Sequence, residues 1–95
     1  MSAEVLARER QVLAEDAFVE IVVWRVPRPV PGSSHRLKHR LALIVAGNCV
    51  LRDDNETGKG DHRHVGALET AYAFRSYERL LADFWADVDT WRKRR

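Results

Sequence analysis

The residue types best suited to chemistry gather in the middle of the chain, in Leu51-Arg52-Asp53-Asp54-Asn55-Glu56-Thr57-Gly58-Lys59-Gly60-Asp61-His62-Arg63-His64. Histidine titrates near neutral pH, so two of them two residues apart can share acid and base duties. Metal-free RNA cleavage needs three things: a base for the 2′-hydroxyl proton, an acid for the leaving 5′-oxygen, and positive charge for the phosphorane. His62 and His64 are the candidate base and acid. Lys59 and Arg63 are candidate phosphate ligands, and the N–H groups of Gly58 and Gly60 could form an anion nest. Glu20, a lone acid in an apolar run, is a further candidate, as base or as a group that orients a histidine. Metal binding is a second reading, because His62 and His64 point the same way in extended backbone and Asp61 or Asp54 could complete a site. A solvated hairpin loop with no chemistry is the plainest account of the block. The leading reaction scheme uses no metal and no cofactor.

Charge offers a second feature. From Arg25 to Arg40 come Arg25, Arg28, Arg36, Lys38 and Arg40 with no acid between them, although the net charge of the 95 residues is only +2. A cationic face on a weakly charged domain suits a phosphate backbone or an acidic partner. Arg36, Lys38 and Arg40 alternate with Leu37, His39 and Leu41, so a strand here presents three cations on one face and the apolar set with His39 on the other. The C-terminal Arg92-Lys93-Arg94-Arg95 also suits a helix C-terminus, where cations meet the negative end of the macrodipole.

Elements must position these groups. Ninety-five residues make one domain, 1–95, and a chain this small buries only about 60–65% of its unfolded surface, which favours help from a partner or a second copy in a homodimer. The N-terminus has neither the basic nor the apolar region of a signal peptide, and no apolar run nears the roughly 18 residues of a membrane span. A cytoplasmic protein of bacterial type is expected, and a single Cys49, read as a small buried hydrophobe, fits a chain without disulfides.

The first half reads as sheet. Phe18-Val19-Glu20-Ile21-Val22-Val23-Trp24 is apolar on both faces and reads as a central strand. Val5, Leu6, Val12 and Leu13 carry helical spacing, yet the short turn Ala14-Glu15-Asp16-Ala17 would bring residues 5–13 back as a neighbouring strand, so strand and helix both stay open there. Pro27, Pro29 and Pro31 make an extended connection. Residues 35–46 form a third strand, Ala46-Gly47-Asn48 a tight turn, and Cys49-Val50-Leu51-Arg52 the return. Ser76 N-caps a helix whose stripe of Tyr77, Leu80, Leu81, Phe84, Trp85, Val88 and Trp91 packs on the sheet. The expected fold is α+β, an antiparallel sheet of four or five strands with one long C-terminal helix across one face.

The order of Phe18-Val19-Glu20-Ile21-Val22-Val23-Trp24-Arg25-Val26-Pro27, Pro31-Gly32-Ser33 and a basic strand resembles the TumE family of small bacterial toxins. The Asp54-Asn55…His62-Arg63-His64 segment, followed by Leu80-Leu81-Ala82-Asp83-Phe84, extends the resemblance over nearly the whole chain. The resemblance implies a toxin of a type II toxin–antitoxin pair, encoded beside a helix-turn-helix antitoxin. One position departs from the family pattern, which has tyrosine before Asp-Asn where this chain has Asp53. The functional expectation is a toxin that cleaves RNA through His62, His64, Lys59 and Glu20 and binds it through Arg36, Lys38, Arg40 and Arg63. The alternative is a module that binds antitoxin or nucleic acid through the basic strand face without any reaction.

Overall fold

In a computed structural model describing residues 2–94, six antiparallel strands form one meander in the order β1-β2-β3-β4-β5-β6 and a single helix crosses one face. Met1 and Arg95, the last of the C-terminal cations, lie outside the described residues. The strands are β1 (Glu4–Ala14), β2 (Ala17–Arg25), β3 (Leu37–Val45), β4 (Asn48–Glu56), β5 (Gly60–Val65) and β6 (Leu68–Ala71), and the helix is α1 (Tyr77–Arg94). The α+β class and the helix on the sheet are as expected, but the sheet has six strands rather than four or five.

Two features account for the difference. Residues 5–13 are strand, and the helical spacing of their apolar pairs comes from bulges. Register shifts fall between Val5 and Ala7 and between Val12 and Ala14, so Leu6 and Leu13 are the extra residues. A bulge reverses the alternation of side chains, and each therefore places two apolar residues in succession. The polar block is also strand for most of its length: Asp53 to Glu56 continue β4 and Gly60 to Val65 form β5, leaving only Thr57–Lys59 as turn. Cross-strand pairs of opposite charge stabilise polar strands, and Asp53 stands here opposite Arg63. β6 then closes the sheet through Gly66 and Ala67, and the N–H of Tyr72 extends the pairing to the Asp61 carbonyl at 2.9 Å.

The hairpin between β3 and β4 turns on Ala46 and Gly47, both at positive φ (51° and 81°), the backbone that a two-residue turn between twisted strands requires. β3 begins at Leu37, so Arg36 precedes it and the row of cations within the strand shortens to Lys38 and Arg40. Cys49 is exposed rather than buried. A register shift after Leu43 pairs it with Ile44, on the face that the helix does not cover.

The helix is capped as its sequence indicates. Ser76 Oγ accepts the N–H of Arg79 at 3.0 Å, satisfying one of the free donors of the first turn. Leu80, Phe84 and Val88 lie wholly buried against Val19, Ile21, Val23, Leu41 and Leu43 of the central strands. Tyr77, Leu81, Trp85 and Trp91 flank that line and are only partly buried. No helix among the described residues is long and apolar enough to cross a membrane.

Candidate functional site: the uncovered sheet face

Strand periodicity sorts the motif residues onto two faces. Leu51, Asp53, Asn55, Asp61 and Arg63 turn toward the helix and its connections. Arg52, Asp54, His62 and His64 turn to the face without a helix. Register lays that open face out in rows. One runs Arg10, Glu20, Ala42, Arg52, His64, Glu69, and the next runs Arg8, Val22, Arg40, Asp54, His62, Ala71.

At the β5 end of these rows the side chains meet. Arg52 donates from Nη2 to His64 Nε2 at 3.1 Å. Arginine has no acceptor, so His64 Nε2 carries the lone pair and its proton sits on Nδ1, which faces Glu69 Oε2 at 3.4 Å. Asp54 lies 3.2 Å from Arg52 Nε and 3.9 Å from His64 Nε2. His62 Nδ1 donates to the Gly60 carbonyl at 3.3 Å, which leaves its Nε2 as the acceptor, 3.8 Å from Glu69 Oε1. Same-face residues two apart in a strand are separated by roughly 7 Å, a gap that one phosphodiester can bridge. Lys38 and Arg40, exposed on β3, make no ion pair among the described residues. With Val22, Trp24, Asp54 and Glu56 they line a half-open depression of about 170 Å³.

The other expected site residues fall elsewhere. Glu20 shares a row with His64, but β3 and β4 intervene, a separation of about 14 Å at the usual strand spacing. Lys59 sits in the turn after β4, 3.8 Å from Glu56, with its side chain 61% exposed. Arg36 lines a separate depression beside Glu4, Arg25 and Pro27. Arg63 points to the helix, where it grips Asp87 with two hydrogen bonds of 2.7 Å. The glycine nest is filled by the chain itself: Gly58 donates its N–H to the Pro31 carbonyl at 2.6 Å. A Cβ at Gly32 would fall 2.7 Å from the nitrogen of Gly60, so glycine alone permits this approach.

Sequence reasoning missed a second histidine cluster, formed where the proline segment folds over the turn between β4 and β5. Asp61 Oδ1 accepts from His35 Nε2 at 2.8 Å, His39 Nε2 at 3.1 Å and Ser33 Oγ at 3.4 Å. Asn55 accepts the His39 backbone N–H and donates to the Leu37 carbonyl, replacing ladder bonds at the start of β3. Phe74 stacks on His35 with ring centres 3.6 Å apart. His35, His39 and Asp61 are close enough together to hold a metal ion. However, the Leu37 N–H points at His35 Nδ1 at 3.2 Å, so the proton of that ring is on Nε2, the atom a metal would need. Burial lowers the His39 pKa, partly offset by its contacts with Asp61 and with the Asp53 carbonyl, which faces Nδ1 at 3.4 Å. The side chains of His35, His39 and Asp61 are 11%, 0% and 9% exposed, too little for a polymer to reach. They form an internal polar knot. The histidine spacing at 35 and 39 gave no sign of it, because Asp61 comes from another strand.

Under the helix, Asp53 is buried with Oδ1 unbonded. Burial first, then repulsion from Asp87, pushes its pKa up to about 7. Tyr72 donates its hydroxyl to Asp83 at 2.7 Å, and burial with that bond raises its pKa.

No curated protein and no solved structure matches the chain. A family model described as Toxin TumE matches residues 2–92. With nearly every element from β1 to α1 inside that match, the chain belongs to the TumE toxin family.

Proposed function

We propose that this toxin is the active partner of a type II toxin–antitoxin pair, held in check by a helix-turn-helix antitoxin, and that it cleaves RNA on the open face of its sheet without a metal. The observation that carries the reading is the pair His62 and His64, both with Nε2 unprotonated, set beside Arg52, Asp54 and Glu69 on a face that no other element covers. His62 Nε2 receives no hydrogen bond among the described residues and is assigned as base, taking the 2′-hydroxyl proton. His64 first takes a proton from solvent at Nε2; the 2′-oxygen then attacks phosphorus, the bond to the 5′-oxygen breaks, and that oxygen leaves with the His64 proton. A protonated His64 releases Arg52, which then donates to the phosphorane, while Asp54 and Glu69 face the imidazolium. Lys38 and Arg40 hold the flanking phosphates. The products are a 2′,3′-cyclic phosphate and a 5′-hydroxyl. Glu20, Lys59, Arg36 and Arg63 take no part in this scheme.

End-group analysis of labelled RNA incubated with the purified toxin tests the reading. Cyclic phosphate ends that form unchanged in the presence of chelator are expected. Products ending in 5′-phosphate, or cleavage that needs a divalent cation, would overturn it. Intact RNA with salt-sensitive binding would favour the non-catalytic reading, in which the same cations only dock a partner.

A further inference from the structure

The depression across β2, β3 and β4 contains Val22, Trp24 and Glu56, which the cleavage scheme leaves unused. Val22 and Trp24 give it apolar walls, Lys38 and Arg40 border it, and the carboxylates of Asp54 and Glu56 stand on its β4 side. Asp54 is turned to Arg52 and His64, whereas Glu56, its side chain 53% exposed, has only Lys59, at 3.8 Å, as an ion-pair partner among the described residues. Arg8 lies over the Trp24 ring at 5.2 Å. An indole from which a base would displace the exposed Arg8, a carboxylate held only by a long ion pair, and two cations without an ion pair among the described residues suit a nucleobase joined to a phosphate, because every base stacks on an indole and phosphates seek arginine and lysine.

We propose that this depression is the base-recognition subsite of the open face and that it selects guanine. The proposal rests on the reading that the open face binds RNA. An ionised carboxylate can only accept hydrogen bonds. Guanine presents N1–H and an amino N–H side by side, one for each oxygen of Glu56. Adenine and cytosine pair their amino group with an acceptor nitrogen on that edge, and uracil flanks its single N–H with two carbonyls. Each of those three turns an acceptor toward the carboxylate. Asp54 pairs with His62 across β4 and β5, so the bound base lies next to the proposed cleavage point.

Titration of the toxin with GMP, AMP, CMP and UMP, followed by tryptophan fluorescence, tests the subsite without any catalysis. GMP is expected to bind at least about ten times more tightly than UMP, an increment within the range of a bidentate base contact. The quenching should vanish in Trp24→Phe, and Glu56→Gln should bring GMP to the level of UMP. Equal binding of the four nucleotides, or a preference for guanine that survives Glu56→Gln, would overturn the proposal. Guanine preference in a protein that fails to cut RNA would leave the subsite standing and remove only the reaction. Cleavage with no base preference at the cut would remove the subsite and leave the reaction.

Discussion

The two faces of this sheet use similar residues for opposite purposes. On the helix side, Asp61, His35, His39, Asn55 and Ser33 bond almost entirely to one another or to backbone, and the space that reacting atoms would need is occupied by Phe74 and the proline segment. On the open side, His62, His64, Asp54 and Glu69 stand at 3.4–3.9 Å, beyond good hydrogen bonds, and are 20–44% exposed apart from Asp54. A saturated polar cluster gives rigidity and a fixed register, whereas one that is loosely paired and wet keeps capacity for a ligand. The comparison shows why two histidines in a motif are not a site until the strand says which way they point.

Changes to the covered face should act on stability, the largest being in the core. Phe84→Ala removes a wholly buried ring and should cost about 3–5 kcal/mol, a large share of the roughly 5–15 kcal/mol that stabilises a domain. Trp85→Ala, on a half-buried flank, should cost clearly less. Equal losses in denaturant melts would mean that the buried line of the helix is misassigned.

Asp53 sharpens the same face by pH. Its carboxyl ionises near pH 4 when unfolded and at about 7 when folded. The unfolded state therefore holds fewer protons between these values, and stability from this group is full below pH 4 and falls as pH rises to 7. The loss by pH 8 amounts to at most roughly 4 kcal/mol. Asp53→Asn should flatten the dependence and raise the melting temperature at pH 8. A variant that melts below the parent there would contradict the buried, unbonded carboxyl.

Within the knot, Asn55→Ala strips an acceptor from the His39 N–H and a donor from the Leu37 carbonyl, and should cost about 1–3 kcal/mol. An unchanged melt would mean that water replaces the side chain. On the open face the expected effect is on binding alone. Lys38→Gln with Arg40→Gln should lower the log–log salt slope of single-stranded RNA binding by about 1.4, at about 0.7 per phosphate contact, with little change in melting temperature. A slope that stays constant would take these two cations off the RNA path.

Periodicity made several of these elements legible. The stripe from Tyr77 to Trp91 and the cap at Ser76 mark the helix, and the alternation of Leu37, His39 and Leu41 with Lys38 and Arg40 marks both faces of β3. It failed where a local rule was broken. Bulges at Leu6 and Leu13 disguised β1, and the charge of Asp53 to Glu56 disguised strand as loop. The open-face cluster was half visible, since His62 and His64 were paired by spacing. Glu69 was not, because only the turn into β6 brings it beside them. The knot depended on a close approach of Gly32 and Gly60, which no local pattern announces.

The central claim is that chemistry belongs to the open face and structure to the covered one. The rate of RNA cleavage, measured with the melting temperature in His62→Ala, His64→Ala and His39→Ala, tests it most directly. The account predicts that His62→Ala and His64→Ala each lose about 10²–10⁴-fold in rate, the usual contribution of one general acid or base, while melting like the parent. His39→Ala should instead melt at lower temperature and cleave at the parental rate while folded. Full cleavage by a variant lacking both His62 and His64, or loss of cleavage in folded His39→Ala, would contradict it.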